Sequence, residues 1–163
     1  TQRRSGCRVQ AGNCPSHFVS LTFLPQETRY SCTVACLRMV LAHFNISIEE
    51  AELRECCKTT EQGTLAREAV ECAQQHGLNA KEIRDVSWDD AKEILADQAT
   101  YPIALINLFP IKALWVMHAV VIESIDDDLI AYLDPIYGKQ SVNIISFDQA
   151  WEMNGRRAIV VTR

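Results

Sequence analysis

The chain changes its hydrophobic period near the middle, and that change limits the fold more than any other feature. Up to about Leu95, apolar residues recur at three-to-four spacing; from Ile103 onward they alternate or form short β-branched runs. Val34, Leu37, Val40 and Leu41 predict a helix from Ser31 to Phe44–Asn45. Ser47 and Glu50 form an S-x-x-E capping pattern that predicts a second helix, ending at Cys57. Gly63–Thr64 opens a third, with Leu65, Ala69, Val70 and Ala73 on one face and Gly77 as its stop. Ser87-Trp88-Asp89-Asp90 caps a fourth through Leu95, and Leu78–Ile83 is a strand candidate before it. The later part predicts strands at Ile103–Leu108, His118–Ser124, Leu129–Leu133, Gln140–Ile145 and Ala158–Val161. Asp126-Asp127-Asp128 reads as a hairpin turn and Ser146–Trp151 as a short helix. Helices followed by mostly antiparallel strands predict an α+β domain, a helical lobe packed against a sheet.

Composition removes several functions. The chain has 163 residues, 48% of them hydrophobic and 23% charged, which suits a packed core and not disorder. A net charge of −5 without a basic stripe argues against nucleic acid as a partner. Tyr101–Ile122 is long and almost uncharged, but Pro102, Asn107, Pro110, Lys112 and His118 interrupt it. Two buried strands joined by a loop fit that stretch better than a membrane helix. Residues 1–21 carry no period and are expected to form an irregular lead-in to a single domain over 22–163. Thr1–Gly12 is polar and basic, so no secretory signal is read there, and the opening Thr suggests a fragment or a processed product. The cysteines number seven, an odd count, and five of them fall in helical patterns. A reducing compartment is expected, with a Cys7–Cys14 pairing left open.

There is no C-x-x-C pair, and the histidines do not cluster with cysteines at zinc-ligand spacing, so neither metal nor cofactor is expected. Cys56, Cys57 and Cys72 read as small hydrophobes on helices, and Cys36 as core. Cys32 differs by position. At the first turn of the first helix, a thiol feels the positive end of the helix dipole, which favours the thiolate. A thiolate nucleophile needs an imidazole partner, and the imidazole needs a third group to fix its tautomer. His118 opens one strand and Asp134 closes the next, so the hairpin between them can set the two side by side. Gln26, six residues before Cys32, supplies a side-chain amide suited to a developing oxyanion. His43 and His76 end helices and read as structural. Trp115 and Met117 read as core or surface, with a substrate channel as the alternative.

These residues together resemble a family. Gln26-x5-Cys32 opening a helix with Ala35, Leu37 and Met39-Val40 resembles the start of the double-glycine leader peptidases, the papain-like peptidase domains of bacteriocin-processing exporters. The resemblance continues through Glu52-Leu53-Arg54, Thr59–Thr64, Ala73 with His76-Gly77-Leu78, the His118-Ala-Val-Val-Ile strand, Asp134-Pro135, Phe147…Trp151 and Ala158–Val161. It implies a papain-like cysteine peptidase that cuts leader peptides after small residues, Gly-Gly first among them. Cys32 would be its nucleophile, His118 its general acid/base, Asp134 the orienting carboxylate and Gln26 the oxyanion donor. The implied partners are a peptide with an amphipathic leader helix and an ATP-driven peptide exporter, fused or associated. The implied place is the cytoplasm, at the inner face of the membrane if joined to an exporter. Two features depart from the family. Thr33 follows the nucleophile where Gly is usual and is expected to narrow the cleft, and the lead-in is longer. No G-x-x-x-x-G-K-[ST] loop is present, so ATP is not bound by that route. A transglutaminase-like acyltransferase and an inactive leader-binding module are the competing readings.

Overall fold

A computed structural model describes residues 20–97 and 100–163. The expected lead-in before residue 20 and the Cys7–Cys14 pairing lie outside the described residues. The chain begins with helices α1 (Cys32–His43), α2 (Glu50–Cys56) and α3 (Ala66–Gln75). Strand β1 (Asn79–Ile83), helix α4 (Trp88–Ala96), strand β2 (Ile103–Asn107) and the short helix α5 (Phe109–Lys112) follow. Strands β3 (Met117–Ile125), β4 (Leu129–Asp134) and β5 (Gly138–Asn143), helix α6 (Ile144–Glu152) and strand β6 (Arg157–Thr162) complete it.

The strands form one six-stranded sheet in the order β1-β6-β2-β3-β4-β5. Every neighbouring pair in it is antiparallel. Alternation along the strands sends side chains to two cores. Ala119, Val121, Ile103, Ile159 and Val161 join α1, α2 and α3 through Val34, Leu37, Leu41, Leu53 and Ala69. Val120, Ile122, Ile130 and Tyr132 join α4 and α6 through Ala91, Phe147 and Trp151. The central strand β3 is therefore covered on both faces, which is why His118–Ile122 reads as a continuous apolar run behind one histidine. The helical lobe expected from the sequence is one of two helical layers; α4 and α6 supply the other.

Several boundaries follow local chemistry that periodicity does not carry. Gly77, at φ +83, ends α3 as expected: its N–H donates to the Gln74 carbonyl and that of Leu78 to Ala73, a Schellman closure. The cap expected at Ser87 is present, and with Asp90 it forms a capping box at the start of α4. The capping box expected from Ser47 is absent, because α2 starts at Glu50 with Glu49 as its cap residue. The Glu50 carboxylate turns inward and accepts the backbone N–H of Glu27 at 2.9 Å instead. Helix α3 opens after Leu65, later than Gly63–Thr64, with no side-chain cap. The strand expected through Ile145 stops at Asn143, whose side chain accepts the Ile145 N–H at 2.8 Å and so caps α6. Helix α5 occupies the expected loop between β2 and β3.

The cysteines need a larger correction. Cys56 and Cys72 are not independent hydrophobes; they are bonded to each other and staple α2 to α3. Such bonds persist in oxidising environments. Cys57 is buried and free, as expected. The bond closes a loop of sequence separation 16, so reducing it should cost about 2–4 kcal/mol of stability. Urea unfolding with and without a phosphine reductant measures this; coincident midpoints would contradict the linkage.

Candidate functional site

Three elements bring the chemistry-bearing side chains to the junction of the helical lobe and the sheet. Cys32 is the first residue of α1, following Ser31, whose hydroxyl donates to the Thr28 carbonyl and accepts the Thr28 N–H, each at 3.1 Å. His118 lies on β3, and Asp134 ends the antiparallel neighbour β4. The polar turn between those strands falls at the expected triple-Asp segment, with the Asp126 N–H donating to the Leu129 carbonyl. The hairpin thus sets imidazole and carboxylate side by side: His118 Nε2 stands 2.9 Å from Asp134 Oδ1. A carboxylate accepts there, so Nε2 carries the proton and Nδ1 is the nitrogen left for the thiol.

Asp134 is fully buried. Its Oδ1 also accepts the backbone N–H groups of Ile136 at 2.8 Å and Tyr137 at 3.2 Å, from the turn opened by Pro135. Burial alone would raise its pKa, yet the His118 bond and charge and the two N–H donors leave it below the ordinary carboxylate value. Burial likewise works against a charged imidazole. The Asp134 hydrogen bond and the Cys32 thiolate outweigh it and hold His118 up at about 9. For Cys32, burial opposes the thiolate, but His118, the Ala119 backbone N–H and the Thr33 hydroxyl favour it, and the net shift is downward. The other two free cysteines among the described residues move the opposite way. Burial raises Cys36 well above its ordinary value and, with the charge of Glu68, pushes Cys57 up to about 12. Among the described free cysteines, only the one at the imidazole is shifted toward the thiolate.

Cys32, Thr33 and His118 line a cleft of about 330 Å³ whose other walls include Arg29, Tyr30, Gly63, Thr64 and Met117. Gly63, at φ +104, closes a tight loop in which Thr60 and Gly63 exchange backbone hydrogen bonds. That conformation favours glycine at this wall. Thr33 borders the cleft as expected and also supplies a hydroxyl to the thiolate. Met117 is half exposed at the cleft wall, whereas Trp115 is exposed and stacks on Phe109 at 4.1 Å. The walls at Arg29, Tyr30 and Glu61–Ala66 come from loops distant in sequence, and only the Thr59–Thr64 stretch carried a sequence signal.

Gln26 sits on the loop before α1. Its Nε2 donates to the Thr28 carbonyl at 2.6 Å, which fixes the amide's orientation, since a carbonyl oxygen there would be repelled. That bond uses one N–H of the amide within the loop, the amide oxygen is buried without a hydrogen-bond partner, and Gln26 is not among the residues that line the cleft with Cys32 and His118. The Gln26 backbone N–H donates to the Pro135 carbonyl at 2.9 Å, tying this loop to the turn that holds Asp134.

Among the described residues, Cys56, Cys72 and His76 gather within metal-ligand distance. The disulfide commits both sulfurs, and His76 Nδ1 donates to the Cys72 carbonyl at 2.8 Å. His43 packs edge-on against Tyr101 and Phe44 as a structural ring.

A helical lobe on an antiparallel sheet, with a thiol-bearing cleft at their junction, defines a papain-like peptidase fold. Residues 20–162 match the family model described as Peptidase C39 family, and the chain belongs to that family. It is 30% identical over 128 residues to the lactococcin-G-processing and transport ATP-binding protein LagD of Lactococcus lactis, covering 77% of this chain and 17% of that protein. It is 28% identical over 140 residues to the mesentericin-Y105 transport/processing ATP-binding protein MesD of Leuconostoc mesenteroides, covering 84% of this chain and 18% of that protein. The chain thus spans less than a fifth of the length of these relatives. Among solved structures, it is similar to a double glycine motif protease from an AMS/PCAT transporter in complex with the leader peptide. That match has a TM-score of 0.70 and 22% identity, over 88% of this chain and 91% of the other. The peptidase domain of Streptococcus ComA gives a TM-score of 0.68 and 22% identity, over 88% and 98%. No helix of the described residues is long and apolar enough to cross a membrane.

A histidine pKa raised from 6.5 stabilises the fold fully below 6.5, and that contribution is lost as pH rises through about 9. Asp134→Asn removes the charged acceptor, so the His118 ring should titrate at clearly lower pH. Ring NMR of the two proteins reads this directly; identical His118 titrations would contradict the assigned coupling.

Proposed function

We propose that this peptidase is a cysteine endopeptidase that cuts leader peptides after small residues, with Gly-Gly as the preferred site. The observation that carries the reading is His118 bonded to Asp134 and lining one cleft with Cys32. In this mechanism the Cys32 thiolate attacks the scissile carbonyl carbon. The oxyanion so formed is met by the Cys32 backbone N–H, which has no intrahelical acceptor at the first helical position, and by the Gln26 side-chain amide. As the intermediate collapses, the C–N bond breaks and His118 Nδ1 gives its proton to the leaving amine. Water then attacks the thioester, His118 takes the water's proton, and the acid leaves with the thiolate restored. Asp134 holds the ring and its charge throughout.

The peptide substrate follows from relatives named for processing bacteriocin-type peptides and from a similar protease captured with its leader peptide. Thr33 and Gly63 at the cleft walls suit a segment with little side-chain bulk. Association with an ATP-driven exporter comes from the same relatives, both named as transport ATP-binding proteins. Acyl transfer to an amine would pass through the same thioester, so an assay with an added amine acceptor separates it from hydrolysis. A binding module would have no use for a thiolate that burial opposes.

Cys32→Ala should remove turnover of a Gly-Gly leader peptide while leaving the thermal transition in place. Replacing either glycine by Leu should lower kcat/KM at least tenfold, since misfit near the reacting bond costs transition-state binding, roughly a factor of ten per 1.4 kcal/mol. Retained turnover in Cys32→Ala, or equal cleavage after Leu-Leu, would contradict the proposal.

A further inference from the structure

We infer that Glu50 is a positioning residue for Gln26, a role that rests on Gln26 being the oxyanion donor. Glu50 is the first residue of α2 and its side chain is fully buried. A buried carboxylate is costly unless it is paired and hydrogen-bonded. Glu50 has both kinds of partner. Its Oε2 accepts the Glu27 backbone N–H at 2.9 Å, and its Oε1 lies 3.5 Å from Arg54 Nε.

The residue it holds is the immediate neighbour of Gln26. The N–H on the other side, that of Gln26 itself, is held by the Pro135 carbonyl. Two successive backbone N–H groups are therefore fixed from different elements: one by α2, the other by the turn that orients Asp134. Between them stands the side chain whose amide must meet a charge that exists only in the transition state. The Glu27 side chain is secured as well, 3.6 Å from Arg38 and 3.9 Å from Arg54. Arg38 in turn donates to the Ile48 carbonyl at 2.8 Å and to Glu49 at 3.0 Å, closing a network from α1 to α2. An acidic residue serving only the helix dipole could sit in solvent at this position. Glu50 is drawn into the protein to reach one loop N–H.

The test is a kinetic cycle on a Gly-Gly leader peptide, with folding of each variant checked by its thermal transition. Glu50→Asp keeps an acid at the start of α2 but falls one methylene short of the Glu27 N–H. It and Glu50→Ala should lower kcat about tenfold with KM unchanged, as loose placement of a transition-state donor does. Glu50→Gln retains an acceptor oxygen and should recover most of the rate. The double variant Gln26→Ala/Glu50→Ala should be no slower than Gln26→Ala alone. Alkylation of Cys32 by iodoacetamide forms no oxyanion and should keep its rate in every Glu50 variant. The proposal is overturned by wild-type kcat in Glu50→Asp, by a change in KM alone, by losses that multiply in the double variant, or by alkylation falling with kcat. If Gln26→Ala itself keeps its kcat, the oxyanion reading fails and this role with it. A full Gln26→Ala loss beside independent Glu50 losses removes only the role of Glu50. Should Glu50→Ala not fold, Glu50→Asp and Glu50→Gln carry the comparison.

Discussion

The bond between His118 Nε2 and Asp134 Oδ1 is the interaction on which the site depends, because both groups are buried and neither is tolerable alone. Taking either charge out of water costs several kcal/mol, and only mutual attraction with good hydrogen bonds offsets it. Asp134 receives three N–H donors on Oδ1, two of them from its own turn. That makes the carboxylate a fixed negative charge, which raises the imidazole, and the imidazole in turn lowers the thiol of Cys32. The order of dependence runs from a backbone turn to the Cys32 thiol.

The fold delivers this alignment with few parts. Antiparallel pairing of β3 and β4 brings residues sixteen apart in sequence into contact, and α1 points its N-terminal end at the same place. Helical layers on both faces keep the central strand dry, so the electrostatic effects are strong. The loop before α1 is tied to the Asp134 turn through the Gln26–Pro135 bond and to α2 through Glu50. The loop that carries Gln26 is thus tied to the elements that carry Cys32, His118 and Asp134, and the disulfide joins α2 to α3.

Much of this was legible in the sequence. Gly77 as a helix stop, the Ser87 cap and the triple-Asp turn each act within a few residues, and each appears where its local chemistry puts it. The nearness of Cys32, His118 and Asp134 could be expected because a strand hairpin and a helix start are themselves readable patterns. What escaped depends on contacts between distant segments. Ser47-x-x-Glu50 has the form of a capping box, but a loop N–H 23 residues away in sequence competes for the same carboxylate and wins. Cys56 and Cys72 look like ordinary apolar positions until two helices pack and bring their sulfurs together. Asn143 as a cap was hidden because a strand-like period continued through it, and the short α5 because Pro110 and Lys112 made its stretch read as a loop.

The central claim is that His118 creates the Cys32 thiolate. The most direct measurement is the ultraviolet thiolate absorbance of the folded protein followed through a pH titration, in the parent chain and in His118→Ala, with Cys32→Ala as the blank. The account predicts a Cys32 signal that persists below the ordinary thiol range in the parent chain and moves up in pH when the imidazole is removed. Superimposable titrations, or a Cys32 that ionises no earlier than an ordinary thiol, would contradict it.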